Sequence, residues 1–362
     1  MKQFENILSQ VKSFTNVEKR KFAKLILASV SLGDLYETRS EIIGEKSCCP
    51  NCDSEKVKKN GSHNGKQRYV CLECGKGYRD MTGTFAYRMQ HATKLPRFIE
   101  LMLESKSIRE IALELKMGRQ TVLDWRHKVL SAFNDSFTKE FMGIVETDDI
   151  PMVFNQKGRL STSGTFLDEY RRTFTWTNQY GNRESRRMDA DRNRKRGISD
   201  EKVSVLLCID RYGTIGARKL RKGRITIESV RRVFDNEIFD RLNYGNVMVT
   251  DGSTAYRKVF RGKILGHQVL TTRKNQRVRG FYHLNTLNNA DGQFKKWLKG
   301  NFSSVATKYL DNYLMYFKMI AFVLRSSEDP DNEFLRLALA DNKAYSRMKS
   351  LEESYQEFLT YM

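Results

Sequence analysis

The 362-residue sequence has no apolar run approaching the roughly 18 residues needed to cross a bilayer. Its opening, MKQFENILSQVKSFTNVEKRKF, carries charges throughout and has no apolar core. Neither a membrane-spanning protein nor a secretory leader is expected, so the expected location is the cytoplasm. Cysteine is scarce outside one short stretch. Five of the six lie between residues 48 and 74, and the sixth, Cys208, falls in VSVLLCID as a buried strand residue. Crowding of this kind argues for a metal site rather than a disulfide framework. Acidic residues are in deficit, with 43 Asp+Glu against 64 Lys+Arg, a net charge of +21 and a pI near 9.7. Such a surplus points to a polyanionic partner, most simply nucleic acid. No internal repeat is present. Hydrophobic residues make up 40% and aromatics 11%, which excludes global disorder, and the length allows two or three domains.

Residues 1–45 read as two short amphipathic helices, the second opened by a capping box of Thr15 and Glu18. Residues 46–80 are rich in Cys and Gly, and residues 94–135 have helical period. From Ile144 the pattern changes to short β-rich runs: GIVETDDIPMVF, KVSVLLCIDRYG, TIGARKL and NVMVTDG, with a helical pattern at Thr226 to Phe234. That mixture predicts an α/β domain over 143–325. Within it, residues 156–201 form a polar insertion without clear period, carrying 11 Lys/Arg against 5 Asp/Glu from Lys157 to Arg196. Residues 326–362 read as a C-terminal helical segment.

Two patterns in the first half carry chemistry. CCPNC followed by CLEC gives Cys49-x2-Cys52-x18-Cys71-x2-Cys74. Each pair can form a knuckle, and four thiolates suit tetrahedral zinc, so a structural Zn2+ ribbon is expected over 46–80. Pro50 and Gly75 fit its tight turns, KQRYVC fits a small hairpin, and Cys48 is a spare neighbour. The second pattern is SIREIALELKMGRQTVLDWRHKVLSAF. Ser107 and Glu110 form a capping box, Gly118 ends a first helix, and a basic second helix follows, as in a helix-turn-helix. Arg119, Gln120 and Arg126 lie on its outward face and are the candidates for DNA contact.

The second half holds candidate carboxylates. GIVETDD places Asp148 at the strand parity of Glu146, with Asp149 opposite, and VMVTDG ends a β run at Asp251. An Asp at the C-terminal end of a strand is a usual ligand position in an open α/β sheet. HLNTLNNADGQFKKWLK then reads as a helix with two faces. Leu287, Ala290, Phe294 and Leu298 make an apolar stripe, while Asn288, Gly292, Lys295 and Lys299 make a polar one with Asp291 at its edge. Two Asp residues and an oxygen-bearing helix residue are the ligands that phosphodiester cleavage by two divalent ions needs. Lys295, seven residues after Asn288, is placed to meet a phosphate.

Zinc ribbon, helix-turn-helix and acidic α/β domain, in that order, resemble the DDE transposases of bacterial insertion sequences, of the ISXO-like type. VETDD resembles their first motif, VTDGSTAY their second, and HLNTLNN with Lys seven residues on their third. The resemblance covers residues 1 to about 317 with gaps. It implies an RNase H-like catalytic domain using Mg2+ or Mn2+, held by Asp148, Asp251 and Asn288, with Lys295 beside them. It also implies double-stranded DNA, element ends and target, as partner, and a homo-oligomer assembled on DNA. Cleavage at the terminal inverted repeats and strand transfer are the implied reactions. An inactive transposase-derived regulator and an RNase H-like nuclease without strand transfer are the rivals. Two departures stand out: the third ligand is Asn288 where Glu is usual, with Asp291 one turn later as the alternative, and the basic insertion is long.

Overall fold

A computed structural model describes residues 48–63, 66–133, 139–155, 202–263, 266–271, 277–302 and 304–360, the strands at 173–177 and 183–187, and short pieces of the first 47 residues. Most of the two expected N-terminal helices and most of the insertion at 156–201 lie outside these, residues 9–12 of the first being helical. The Thr15–Glu18 capping box is described: Thr15 N–H donates to Glu18 at 2.9 Å, and Glu18 N–H donates back to Thr15 Oγ1 at 3.3 Å. The chain divides into two compact units, residues 1–137 with 315–353, and residues 138–314 with 354–362.

The first unit begins with a three-stranded antiparallel sheet, β1 (Val57–His63), β2 (Lys66–Cys71) and β3 (Gly77–Arg79), with Tyr69 stacked on Tyr78 at 5.4 Å between ring centres. Three helices follow: α1 (Leu95–Leu103), α2 (Ile108–Leu115) and α3 (Arg119–Leu130). The Ser107–Glu110 capping box opens α2 as expected. Lys116, in the left-handed region at φ 50°, ends it, and Gly118 caps the start of α3. The core holds Phe98, Met102, Ile111, Val122, Trp125 and Val129, with Phe98 edge-on to Trp125 at 5.3 Å. Two late helices, α8 (Pro330–Ala340) and α9 (Ala344–Lys349), pack on α1 and α3 respectively.

The second unit is built on a five-stranded mixed sheet. Its strands are β4 (Ile144–Val153), β7 (Lys202–Asp210), β8 (Ile215–Lys222), β9 (Val247–Thr250) and β10 (Gly266–Val269), in the spatial order β10-β9-β4-β7-β8. β4, β7 and β8 form an antiparallel meander, whereas β9 and β10 run parallel to β4. The four β-rich runs of the sequence are β4, β7, β8 and β9. Alternation along the strands divides them between two faces. Val145, Leu206, Cys208, Leu220 and Met248 form one core with α4 (Ile227–Val233) and α5 (Thr254–Phe260). The other face of β4 and β7 receives α6 (Asn285–Phe302), whose Leu287, Ala290, Phe294 and Leu298 are all buried. Burying each Leu or Phe contributes about 1.5–3 kcal/mol, an upper estimate, and holds the helix in one rotation. The chain continues through α7 (Leu310–Lys318) and ends in α10 (Leu351–Thr360).

The insertion contains regular structure that its polarity concealed. β5 (Thr173–Thr177) pairs antiparallel with β6 (Arg183–Arg187), Thr173 opposite Arg187 and Thr177 opposite Arg183. TFTWT, alternating Thr with aromatics, is the missed signal, since both residue classes favour strands.

Candidate functional site

The four cysteines come together. Cys49 Sγ lies 3.7 Å from Cys74 Sγ, Cys52 Sγ lies 3.6 Å from Cys71 Sγ, and all four sulfurs fall within 4.8 Å of one another. Sulfurs at the corners of a tetrahedron with about 2.3 Å zinc–sulfur bonds stand about 3.8 Å apart, so the set fits zinc. Local backbone builds each half. Asn51 N–H points at Cys49 Sγ at 3.4 Å, and Cys74 N–H points at Cys71 Sγ at 3.5 Å. Asp53 and Gly75, both at positive φ, turn the chain back after each knuckle. The Cys74 backbone N–H, with that of Glu73, pulls the Cys71 thiol down to about 6, toward the thiolate a metal requires. Cys48 stands apart and accepts from the Asn342 side chain at 3.3 Å.

On α3, Arg119 and Gln120 are exposed in the first turn, where Gln120 donates to Asp124 at 2.8 Å. The outward assignment of Arg126 is corrected. Arg126 is fully buried, donates to the Lys106 carbonyl, and sits over the Tyr316 ring at 6.0 Å. The reason is that the second half of α3 is enclosed all round: Trp125, Arg126, His127, Val129 and Leu130 are all buried. Helical period alone assumes one buried stripe, and this helix has more than one.

The acidic residues converge through sheet topology. In the parallel β4–β9 ladder, Thr147 pairs with Thr250, so Asp148 and Asp251 are the next residues on neighbouring strands. Asp251 also accepts Ser253 N–H at 2.9 Å, turning the chain into α5. Burial, then the charges of Asp251 and Asp149, and more weakly Asp291, push the Asp148 carboxyl up to about 7. Asp149 faces the α4–α5 side, and burial and Asp251 raise it to about 6. Beside it Tyr256 is wholly buried, its hydroxyl without a hydrogen-bond partner and its pKa raised by burial and then by Asp149.

The polar stripe of α6 faces this cluster at Asp291. Asp291 Oδ2 pairs with Lys295 Nζ at 2.7 Å, while its Oδ1, like Glu146 Oε1 and Asp149 Oδ2, is buried with no hydrogen-bond partner among the described residues. Asn288, one turn earlier, is exposed, and Lys295 remains 40% exposed. Glu146, two residues before Asp148 on the same face of β4, is fully buried and accepts Leu287 N–H at 2.9 Å in the first turn of α6. Arg211 and His283 approach its other oxygen at 3.0 and 3.3 Å. Arg211, in the β7–β8 turn, carried no spacing signal; His283 lay inside a motif read only for its asparagine.

Among the described residues no helix is long and apolar enough to cross a membrane. The ISXO2-like transposase domain matches residues 173–319, which include Asp251, Asn288, Asp291 and Lys295 but not Asp148. An uncharacterised protein of transposable element ISH50 from Halobacterium salinarum is 25% identical over 294 residues, 80% of this chain and 90% of its own length. Among solved structures, a Mos1 transposase paired-end complex with the left transposon end aligns at 13% identity, covering 72% of this chain and 78% of that one, with a TM-score of 0.27. A Drosophila P element transposase strand transfer complex aligns at 9% identity over 73% and 64%, with a TM-score of 0.25. Over residues 173–319 the chain is thus similar to an insertion-sequence transposase domain, and over most of its length to a protein of an insertion element.

Proposed function

We propose that this chain is an active transposase that binds the terminal inverted repeats of its element, cleaves DNA there in a metal-dependent reaction, and joins the freed 3′-hydroxyl to target DNA. The observation that carries this reading is the approach of a carboxylate from the middle of β4 to one just past the end of the adjacent parallel strand β9, with a third on a helix that packs on the same sheet face. The strand order and directions of the sheet support an RNase H-like catalytic domain. The four-cysteine knuckles support a zinc ribbon. The α2–α3 pair, with Arg119 and Gln120 exposed at the start of its second helix, supports a helix-turn-helix. These N-terminal modules would bind the ends, and the net charge of +21 suits a duplex partner.

Asp148 and Asp251 would hold Mg2+ or Mn2+. Crowded carboxylates that repel one another fit such ions, since a divalent cation removes the repulsion. The motif assigns the third oxygen to Asn288, but burial and charge favour Asp291, whose Oδ1 has no hydrogen-bond partner among the described residues. When bound, the ions would activate the attacking oxygen and stabilise the leaving one. The chain's own residues do the rest. Strand and helix backbones fix the carboxylates in place before DNA arrives. Asp148 must give up the proton it holds near neutral pH before it can serve as a ligand. Lys295, held by Asp291 and open to solvent, is placed to neutralise a phosphate oxygen.

The test is purified protein with labelled duplexes carrying the DNA that flanks its gene. Mg2+-dependent nicking at one position, followed by joining to a second duplex, is expected. Nicking without joining would identify a nuclease. Sequence-specific binding with no nicking in Mg2+ or Mn2+ would identify a regulator.

A further inference from the structure

Glu146 is a buried carboxylate two residues from Asp148; its Oε2 is hydrogen-bonded by protein, while its Oε1 is held by charge alone, with no hydrogen-bond partner among the described residues. Oε2 accepts Leu287 N–H at 2.9 Å, and Oε1 lies 3.0 Å from Arg211 Nη2 and 3.3 Å from His283 Nδ1. The Arg211 fork spreads further. Nη1 lies 2.8 Å from His283 Nε2 and donates to Thr286 Oγ1 at 3.0 Å, and Nη2 donates to the Phe281 carbonyl at 3.2 Å. Those partners are the tight turn closed by Arg279 and Tyr282 and the residues that open α6. A carboxylate at a helix N-terminus is favoured by the unpaired N–H groups and by the helix dipole.

We infer that Glu146 and Arg211 form a clamp that sets the position of α6 against the strand bearing Asp148, so that they are positioning residues and not metal ligands. The clamp joins three segments: β4 through Glu146, the β7–β8 turn through Arg211, and the start of α6 through Leu287, Thr286 and His283. Asp291 and Lys295 ride on the helix it holds. This inference rests on the proposed cleavage site, whose helix it orients.

Two variants test it. Arg211→Lys keeps a charge beside Glu146, so the fold is retained, but loses the planar fork that reaches His283, Thr286 and the Phe281 carbonyl along with Glu146. Glu146→Gln keeps the shape and removes the charge. For each, amide hydrogen exchange over residues 279–288 and the Mg2+ titration of end cleavage are measured. Faster exchange confined to that segment is expected, with cleavage about ten- to a hundred-fold slower and the Mg2+ midpoint moved upward, because small misplacement of reacting groups carries penalties of that size. A role limited to neutralising buried charge predicts that Arg211→Lys restores wild-type cleavage and midpoint, and that result overturns the clamp. Loss of cleavage in Glu146→Gln with unchanged exchange overturns it too, since Glu146 would then act as a ligand. If the wild-type protein cleaves no DNA end, the transposase reading fails while the exchange measurement still decides the clamp: unchanged protection in both variants refutes it.

Discussion

The four cysteines and the acidic cluster are both sets of candidate metal ligands, and they are assembled in opposite ways. The cysteines span residues 49–74 and meet because two short turns aim them at one another. The acids span residues 148–291 and come near enough to act on one another's charge because β9 pairs in register with β4 and α6 lies on the same face. The first site is local, its two knuckles set beside a three-stranded sheet. The second is grafted onto a core of Phe, Leu, Val and Ile side chains that stands without it. Ligand loss should therefore unfold the first and leave the second folded but inactive.

The largest expected effect is on the second site. Asp148→Ala and Asp251→Ala each remove a ligand of the proposed centre, and cleavage should fall by about a thousand-fold or more, since several kcal/mol of barrier are at stake. Circular dichroism and binding to the element end should stay within a few-fold of wild type. Cleavage at the wild-type rate by either variant sinks the assignment. Next comes the first site. Cys71→Ser, or a zinc chelator, should release one equivalent of metal and collapse the ribbon, lowering end binding, because binding and folding are coupled where the metal organises the chain. Cys48→Ser should keep the metal, since Cys48 stands outside the cluster. Zinc retained in Cys71→Ser would break the comparison from the local side.

The acidic cluster also has a pH-dependent stability signature. Asp148 is raised to about 7 from an ordinary value of 3.8 by burial and by Asp251, Asp149 and Asp291. The folded protein thus holds a proton there that the unfolded chain releases. This contribution to stability is full below about pH 4 and is lost as pH rises through about 7. Without Mg2+, Asp148→Asn should raise the melting temperature at pH 8 and change it little at pH 4. An equal shift at both values would mean that the carboxylates do not repel as the geometry implies.

How far each region was legible follows from the same contrast. The cysteine spacing, the Ser107–Glu110 box and the four strand runs are local patterns, and each falls where its pattern put it. Asp148 could be suspected as a strand acid and Asp251 as a strand-end one, but their adjacency is a fact of ladder register that no spacing encodes. Arg126 shows the opposite failure. Its helical bearing pointed outward, but α3 is enclosed around its second half. Arg211 was invisible, being one Arg among many in a basic chain until the fold carried it to Glu146. The DNA contacts follow suit: Arg119→Ala and Gln120→Ala should each cost roughly 1–3 kcal/mol of specific binding if they read bases. Arg126→Met should instead change stability and leave sequence preference alone. End binding unchanged in both exposed variants would refute the helix-turn-helix reading.

The smallest effect belongs to Asn288, and it decides what completes the acidic cluster. The motif makes Asn288 the third ligand, in which case Asn288→Ala should slow cleavage by about ten-fold or more. The structure favours Asp291. Asn288 is exposed, while Asp291 bears on Asp148 and keeps a buried oxygen with no hydrogen-bond partner among the described residues. On that geometry Asn288→Ala should cleave at near the wild-type rate and be slightly more stable, since Ala is the better helix former. Asp291→Ala should lose activity and demand more Mg2+, and by freeing Lys295 it should also change the salt dependence of end binding. Asp291→Asn keeps an oxygen but not the charge, so its activity should lie between Ala and wild type. Cleavage measured for the three variants across Mg2+ and Mn2+ separates the readings. A defect in Asn288→Ala that Asp291→Ala does not share would move the third ligand back one helical turn, to where the motif placed it.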